Sequence, residues 1–139
     1  MKQKLIFEER VFTYQIDFVG HVNNIVYVQW LENGRVHLLE AIGMPAHEIA
    51  ESKGIVPILT HTSIQYKRPF FLNNRVVVEV WISRLNHASA IMEFRFLNER
   101  NELCATAQQK GLFINRLTMK PARLSEELRQ AFEKYLIPE

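Results

Sequence analysis

The chain has 139 residues, with 17 basic and 15 acidic side chains, one cysteine and 47% hydrophobic residues. This length predicts one domain, residues 1–139, burying roughly two-thirds of its unfolded surface, so a full core needs neither disulfides nor a structural metal. The net charge of +2 is interleaved along the sequence, which gives no footprint for nucleic-acid binding, and the lone Cys104 excludes an internal disulfide and any CxxC motif.

A single cysteine fits a reducing cytoplasm. The opening MKQKLIFEERVF has no continuous apolar stretch before Glu8, Glu9 and Arg10, and no uncharged apolar run reaches the roughly 18 residues of a membrane helix. Neither secretion nor a membrane partner is expected. From Leu5 to Ile16 apolar and polar residues alternate loosely, which predicts a first strand. After the turn-like DFVGHVNN, residues 25–42 change period. Gln29, Asn33, His37 and Glu40 share one narrow arc, while Ile25, Val28, Trp30, Leu31, Leu38, Leu39 and Ile42 cover most of the rest. A helix apolar over so wide an arc must be wrapped by other structure. Asn23 or Asn24 can cap its start, and Gly43 with Pro45 stops it.

Residues 45–53 predict a short second helix opening with a proline and ending at Gly54. Four further strands are predicted over Ile55 to Lys67, Arg75 to Leu85, Ala88 to Leu97 and Leu103 to Asn115, separated by RPFFLNN, LNH and NERNE. Residues 125–136 predict a closing amphipathic helix with Ser125 as its N-cap. This order implies an α+β domain whose antiparallel sheet of about five strands curls around one long central helix. Exposed edge strands would then favour pairing with another subunit, as a homodimer or homotetramer.

The chemistry concentrates in Tyr14 to Tyr27, where Asp17 and His21 fall between a strand end and the helix start. The first N–H groups of a helix lack intrahelical partners and carry the positive end of its dipole, so they can polarise a carbonyl or hold an oxyanion. A carboxylate facing that point can act as nucleophile or as general base for water, and a neighbouring imidazole can orient it. Taken alone, the same residues also suit an Asx turn at Asp17, a structural His21 and an ordinary N-cap at Asn23 and Asn24.

The run D-F-V-G-H-V-N-N-I-V-Y, continued by Trp30, Glu32 and Arg35, resembles the signature of hotdog-fold acyl thioesterases, the superfamily of 4-hydroxybenzoyl-CoA and acyl-ACP thioesterases. Tyr66-Lys-Arg-Pro69 with Leu72 resembles the family's Y-x-x-P element, and Thr118-Met-Lys-Pro121 its closing T-x-[KR]-P. The resemblance spans roughly residues 10 to 124. It implies a hotdog fold and hydrolysis of a thioester on CoA or acyl carrier protein, with no cofactor. It makes Asp17 the catalytic carboxylate, the backbone N–H of Asn24 the polariser of the thioester carbonyl, and His21 a supporting residue. Phe18, beside Asp17, and Tyr27 are candidates for lining the acyl pocket. Plant-type acyl-ACP enzymes carry Asn where Val19 stands, so that side chain's role is absent here.

Two alternatives come with this reading. Hotdog hydratases pair Asp with a nearby His but usually carry Asn-Pro between them, where this chain has Val19-Gly20; other hotdog domains only bind acyl-CoA. Glu32 lies where a second hotdog subclass places a mid-helix carboxylate, but Arg35 three residues later predicts an ion pair instead. His37, His47, His61 and His87 show no metal-ligand spacing. Lys67, Arg68, Arg84, Arg116, Lys120 and Arg123 stand near strand ends, where a phosphate-bearing carrier can meet them if they cluster in space.

Overall fold

The computed structural model describes residues 2–51 and 54–139. In chain order it contains β1 (Leu5–Arg10), a single 3-10 turn (Thr13–Gln15), α1 (Asn24–Ala41), α2 (Ala46–Glu51), β2 (Ile55–Tyr66), β3 (Arg75–Leu85), β4 (Ser89–Leu97), β5 (Leu103–Asn115) and α3 (Glu126–Glu133). The five strands form one antiparallel sheet in the order β1, β3, β4, β5, β2, which leaves β1 and β2 at the edges.

Alternation decides which sheet face is buried. Val76, Val78, Val80 and Ile82 of β3, Ala90, Met92, Phe94 and Phe96 of β4, and Ala105, Ala107 and Phe113 of β5 point to one side and form the core. The 18-residue α1 packs there through Val26, Tyr27, Trp30, Leu31, Gly34, Leu38 and Leu39. The backbone comes close at Gly34, where a β-carbon would meet Phe94 at 3.0 Å, Val80 at 3.1 Å and Phe7 at 3.2 Å. Trp30 and Tyr27 extend the packing through ring contacts with Phe96 at 6.2 and 5.7 Å.

The helix begins and ends as its sequence predicts, but its apolar arc is not fully covered. Ile25 and Val28 are 67% and 49% exposed in the single chain. The first strand is also shorter than its alternation predicts. It stops at Arg10 because the Gln15 side chain turns back and accepts a hydrogen bond from the Phe12 N–H at 2.8 Å, tightening residues 13–15 into the 3-10 turn. The second helix covers Ala46–Glu51, and the two residues that follow in its predicted span lie outside the described residues.

The closing helix stops at Glu133 instead of residue 136. β1 pairs with β3 only as far as Val80, so the β3 backbone beyond it needs another partner. The tail supplies one: the Ile82 N–H donates to the Tyr135 carbonyl and the Ile137 N–H to the Ile82 carbonyl, both at 2.8 Å. Ser125 caps α3 as expected, accepting from the Leu128 N–H at 3.2 Å. Among the described residues no helix is long and apolar enough to cross a membrane.

Candidate active site

The segment between the 3-10 turn and α1 is a tight reversal built on Asp17. An antiparallel bridge joins Ile16 to Val22. Inside it the Asp17 N–H donates to the His21 carbonyl at 2.7 Å, and the Gly20 N–H donates to the Asp17 carbonyl at 3.1 Å. Oδ1 of Asp17 accepts from the Val19 N–H at 2.9 Å and the His21 N–H at 3.1 Å. The carboxylate is thus an Asx-type organiser of its loop, and Oδ2 has no protein hydrogen bond among the described residues. Gly20 sits at φ 84°, a left-handed conformation in which a side chain is strained.

Asn23 resolves the choice of cap. Its Oδ1 accepts from the Ile25 N–H at 3.0 Å, its carbonyl from the Val26 N–H at 2.9 Å, and its own N–H donates to Gln15 at 2.8 Å. Asn24 is therefore the first helical residue. Its N–H has no protein acceptor among the described residues, which leaves an unsatisfied donor at the positive end of α1.

The facing wall comes from the end of β2. The Lys67 and Arg68 N–H groups both donate to the Cys104 carbonyl, at 2.8 and 3.0 Å, which turns the chain and delivers Pro69 and the buried Phe70. The Val22 N–H then donates to the Phe70 carbonyl at 3.0 Å, tying the two walls together. Between them lies a cleft of about 250 Å³ lined by Asp17, His21, Asn24, Tyr27, Tyr66 and Arg68 with their neighbours.

Tyr27 forms its inner end, 2% exposed, with its ring edge-on to Tyr66 at 4.9 Å. Burial pushes the Tyr27 phenol far above its ordinary value and raises Tyr66 as well, so both remain neutral near pH 7. The structure thus brings Asp17, His21, Asn24 and Tyr27 to one cleft. It does not bring Phe18 there: that ring is 99% exposed in the single chain.

His21 meets Asp17 through its backbone only. Its imidazole packs edge-on to Phe71 at 5.3 Å, and no ion pair joins it to the Asp17 carboxylate among the described residues. The side-chain pairing that a hydratase reading needs is not formed. Glu32 is paired with Arg35 at 3.0 Å, while Arg35 also donates to the Pro57 carbonyl at 3.1 Å. Among the described residues no three His, Cys, Asp or Glu side chains converge as metal ligands do.

Sequence reasoning passed over Gln15, which supports both sides of the loop through its side chain and its carbonyl. A polar residue in an alternating stretch reads as solvent-facing, and only the reversal that buries it reveals the role. Tyr66 was visible only within its Y-x-x-P element.

The profile of the Thioesterase-like superfamily matches residues 11–132. The putative acyl-CoA thioesterase YneP of Bacillus subtilis is 28% identical over 120 residues, covering 86% of this chain and 81% of that protein. The long-chain acyl-CoA thioesterase FadM of Escherichia coli is 29% identical over 130 residues, covering 90% and 94%. In three dimensions the hypothetical protein SAV2348 of Staphylococcus aureus, solved in complex with CoA, superposes with a TM-score of 0.89 at 15% identity, covering 100% of this chain and 89% of that one. At that identity the likeness establishes a shared fold and nothing of function. The family match spans the Asp17 loop, all of α1 and the facing wall, and the chain therefore belongs to the thioesterase-like superfamily and is a thioester hydrolase.

Proposed function

We propose that the protein hydrolyses acyl thioesters of CoA or acyl carrier protein in the cleft between the Asp17 loop and the end of β2. The observation that carries this is that a carboxylate with an open oxygen, on Asp17, and an unsatisfied helix-start donor, on Asn24, line the same cleft. The thioester carbonyl oxygen accepts from the Asn24 N–H, which stabilises the charge that develops as the carbonyl is attacked. Oδ2 of Asp17 either attacks the carbonyl carbon, forming an anhydride that water then cleaves, or removes a proton from the attacking water. In both routes the carbon–sulfur bond breaks and the sulfur leaves with its carrier as a thiolate, which takes a proton from water.

Holding Oδ1 with two N–H groups fixes the carboxylate before substrate arrives, so little reorganisation is needed. His21 supports the reaction through its backbone N–H on that oxygen, and Tyr27 closes the inner end against water. The names of YneP and FadM support an acyl-CoA substrate.

The chain acts as one hotdog domain, with α1 as the helix the sheet curls around, in a reducing cytoplasm. It works as a homodimer or homotetramer. Ile25, Val28 and Phe18 are exposed and lie in sequence beside the cleft residues Asn24, Tyr27 and Asp17, and a second subunit that covered them would bury this apolar surface. The test is Asp17→Asn, assayed with a thiol-trapping dye over aryl, short, medium and long acyl thioesters. Loss of 10²- to 10⁴-fold in kcat is expected, on the order of a general base's contribution. Release of free thiol near the wild-type rate would remove Asp17 from the mechanism.

A further inference from the structure

The carrier end of the substrate must leave the catalytic cleft along some path, and one wall of that cleft continues into a second depression. Arg68 and Pro69 line both. The second depression, about 400 Å³, is completed by Phe71, Asn74 and the β4–β5 turn with Asn98, Arg100 and Glu102. It shares Arg68 and Pro69 with the Asp17 cleft, and its lining sets two guanidinium groups, of Arg68 and Arg100, beside the carboxylates of Glu99 and Glu102.

Arg68 is not idle there. Its Nη1 lies 3.4 Å from Oε2 of Glu102, with the Arg68 side chain 59% exposed. Glu102 is fixed from behind: its Oε1 accepts from the Asn98 Nδ2 at 3.0 Å, and the Asn98 Oδ1 accepts from the N–H groups of Arg100 and Glu102, both at 3.0 Å. The Asn98 hydrogen bond, and after it Arg68, hold the Glu102 carboxyl below its ordinary range, so it is charged at neutral pH. A carboxylate held by hydrogen bonds therefore competes for an exposed guanidinium at the junction of the two hollows. An exposed pair of this kind is weak, and an arginine exchanges it readily for a phosphate it can grip with two parallel hydrogen bonds.

Resting on the thioesterase reading above, we propose that Arg68 is the phosphate anchor of the pantetheine carrier, released from Glu102 when the carrier's phosphate enters the second depression. Arg100 adds positive charge to the lining of the same hollow, and Phe71 adds apolar surface. Glu102 sets the affinity by competition, weakening the hold on free carrier after the thioester is cut.

The experiment compares KM for acyl-CoA, acyl-phosphopantetheine and acyl-pantetheine carrying the same acyl group, in the full chain and its variants Arg68→Gln and Glu102→Gln. Both substitutions leave the backbone hydrogen bonds of Arg68 and the Asn98 contact possible, so folding is preserved. The ratio of KM for acyl-pantetheine to KM for acyl-CoA should fall about three- to tenfold in Arg68→Gln and rise about twofold or more in Glu102→Gln, both effects shrinking at 0.5 M salt. An Arg68 effect shared by acyl-phosphopantetheine assigns the phosphate that CoA and carrier protein have in common. An effect confined to acyl-CoA assigns a phosphate of the nucleotide. Ratios unchanged in both variants, with turnover intact, overturn the anchor while leaving the hydrolase standing. Absence of turnover with all three thioesters in the unmodified chain strikes the thioesterase reading itself, and the anchor is then judged by titration with CoA alone, where equal binding by the chain and Arg68→Gln overturns it.

Discussion

At Gly34 the backbone of α1 lies close against the sheet, and replacing it with alanine sets two known effects against each other. In a helix interior alanine is more favourable than glycine by about 0.8–1.0 kcal/mol. Against this, the added methyl would lie 3.0 Å from Phe94, 3.1 Å from Val80 and 3.2 Å from Phe7, all tighter than ordinary carbon contacts near 3.5–4.0 Å. Phe94 and Val80 are fully enclosed in the sheet core, so the strain is relieved by moving the helix rather than a free side chain. Overpacking of this kind typically costs about 1–3 kcal/mol. The balance is a net loss of about 1 kcal/mol, or roughly 3–5 °C in Tm for a domain of this size. Urea denaturation should show a lower midpoint with an unchanged slope. Phe7, at the partly open edge, is the contact most able to yield, so adding Phe7→Leu to Gly34→Ala should recover part of the loss in a double-mutant cycle. A Gly34→Ala protein more stable than the parent, or one showing no coupling to Phe7→Leu, would refute the close-approach argument.

Asn23→Ala removes the α1 cap at a cost of about 1 kcal/mol in denaturation experiments, and lowers kcat because the Asn24 N–H loses its fixed direction. Asn23→Ser should restore most of both, and a variant that keeps full activity and stability would disconnect the cap from catalysis. Tyr27 supplies a pH dependence. Its phenol ionises near 10.0 in the unfolded chain and well above that when buried, so the folded state retains the proton longer. Stability from this group is therefore complete below pH 10 and declines as pH rises beyond it, by up to about 1.4 kcal/mol per pH unit. Urea midpoints measured from pH 9 to 11.5 should fall less steeply in Tyr27→Phe; equal slopes would contradict the assignment.

Much of the fold was legible because local pattern and tertiary role coincide. β3 is rich in β-branched residues between two turn signals and is an interior strand buried on one face, so its predicted and observed limits agree at Arg75 and Leu85. α1 carries its own stop at Gly43, found at φ 89°. The pattern misled where long-range partners intervene. β1 ends early because a side chain five residues beyond it supplies a competing acceptor, and α3 ends early because β3 has backbone groups to satisfy. Hydrophobic periodicity reports neither.

At the site, the residue types and their order placed Asp17, His21, Asn24 and Tyr27 near a helix start, and the resemblance named their chemistry. Sequence alone determined the elements, the candidate carboxylate and the donor, since strand alternation, helix capping and turn residues are local and speak through nearest neighbours. Only the tertiary structure decided that the Asp17 carboxylate is held by backbone rather than by the His21 ring, that Phe18 is exposed and outside the lining of the cleft in a single chain, and that Arg68 faces Glu102 across a turn thirty-odd residues distant. Those outcomes depend on how β2, β5 and the β4–β5 turn converge, which is fixed by sheet register and close packing across the whole core and by no property of any one segment.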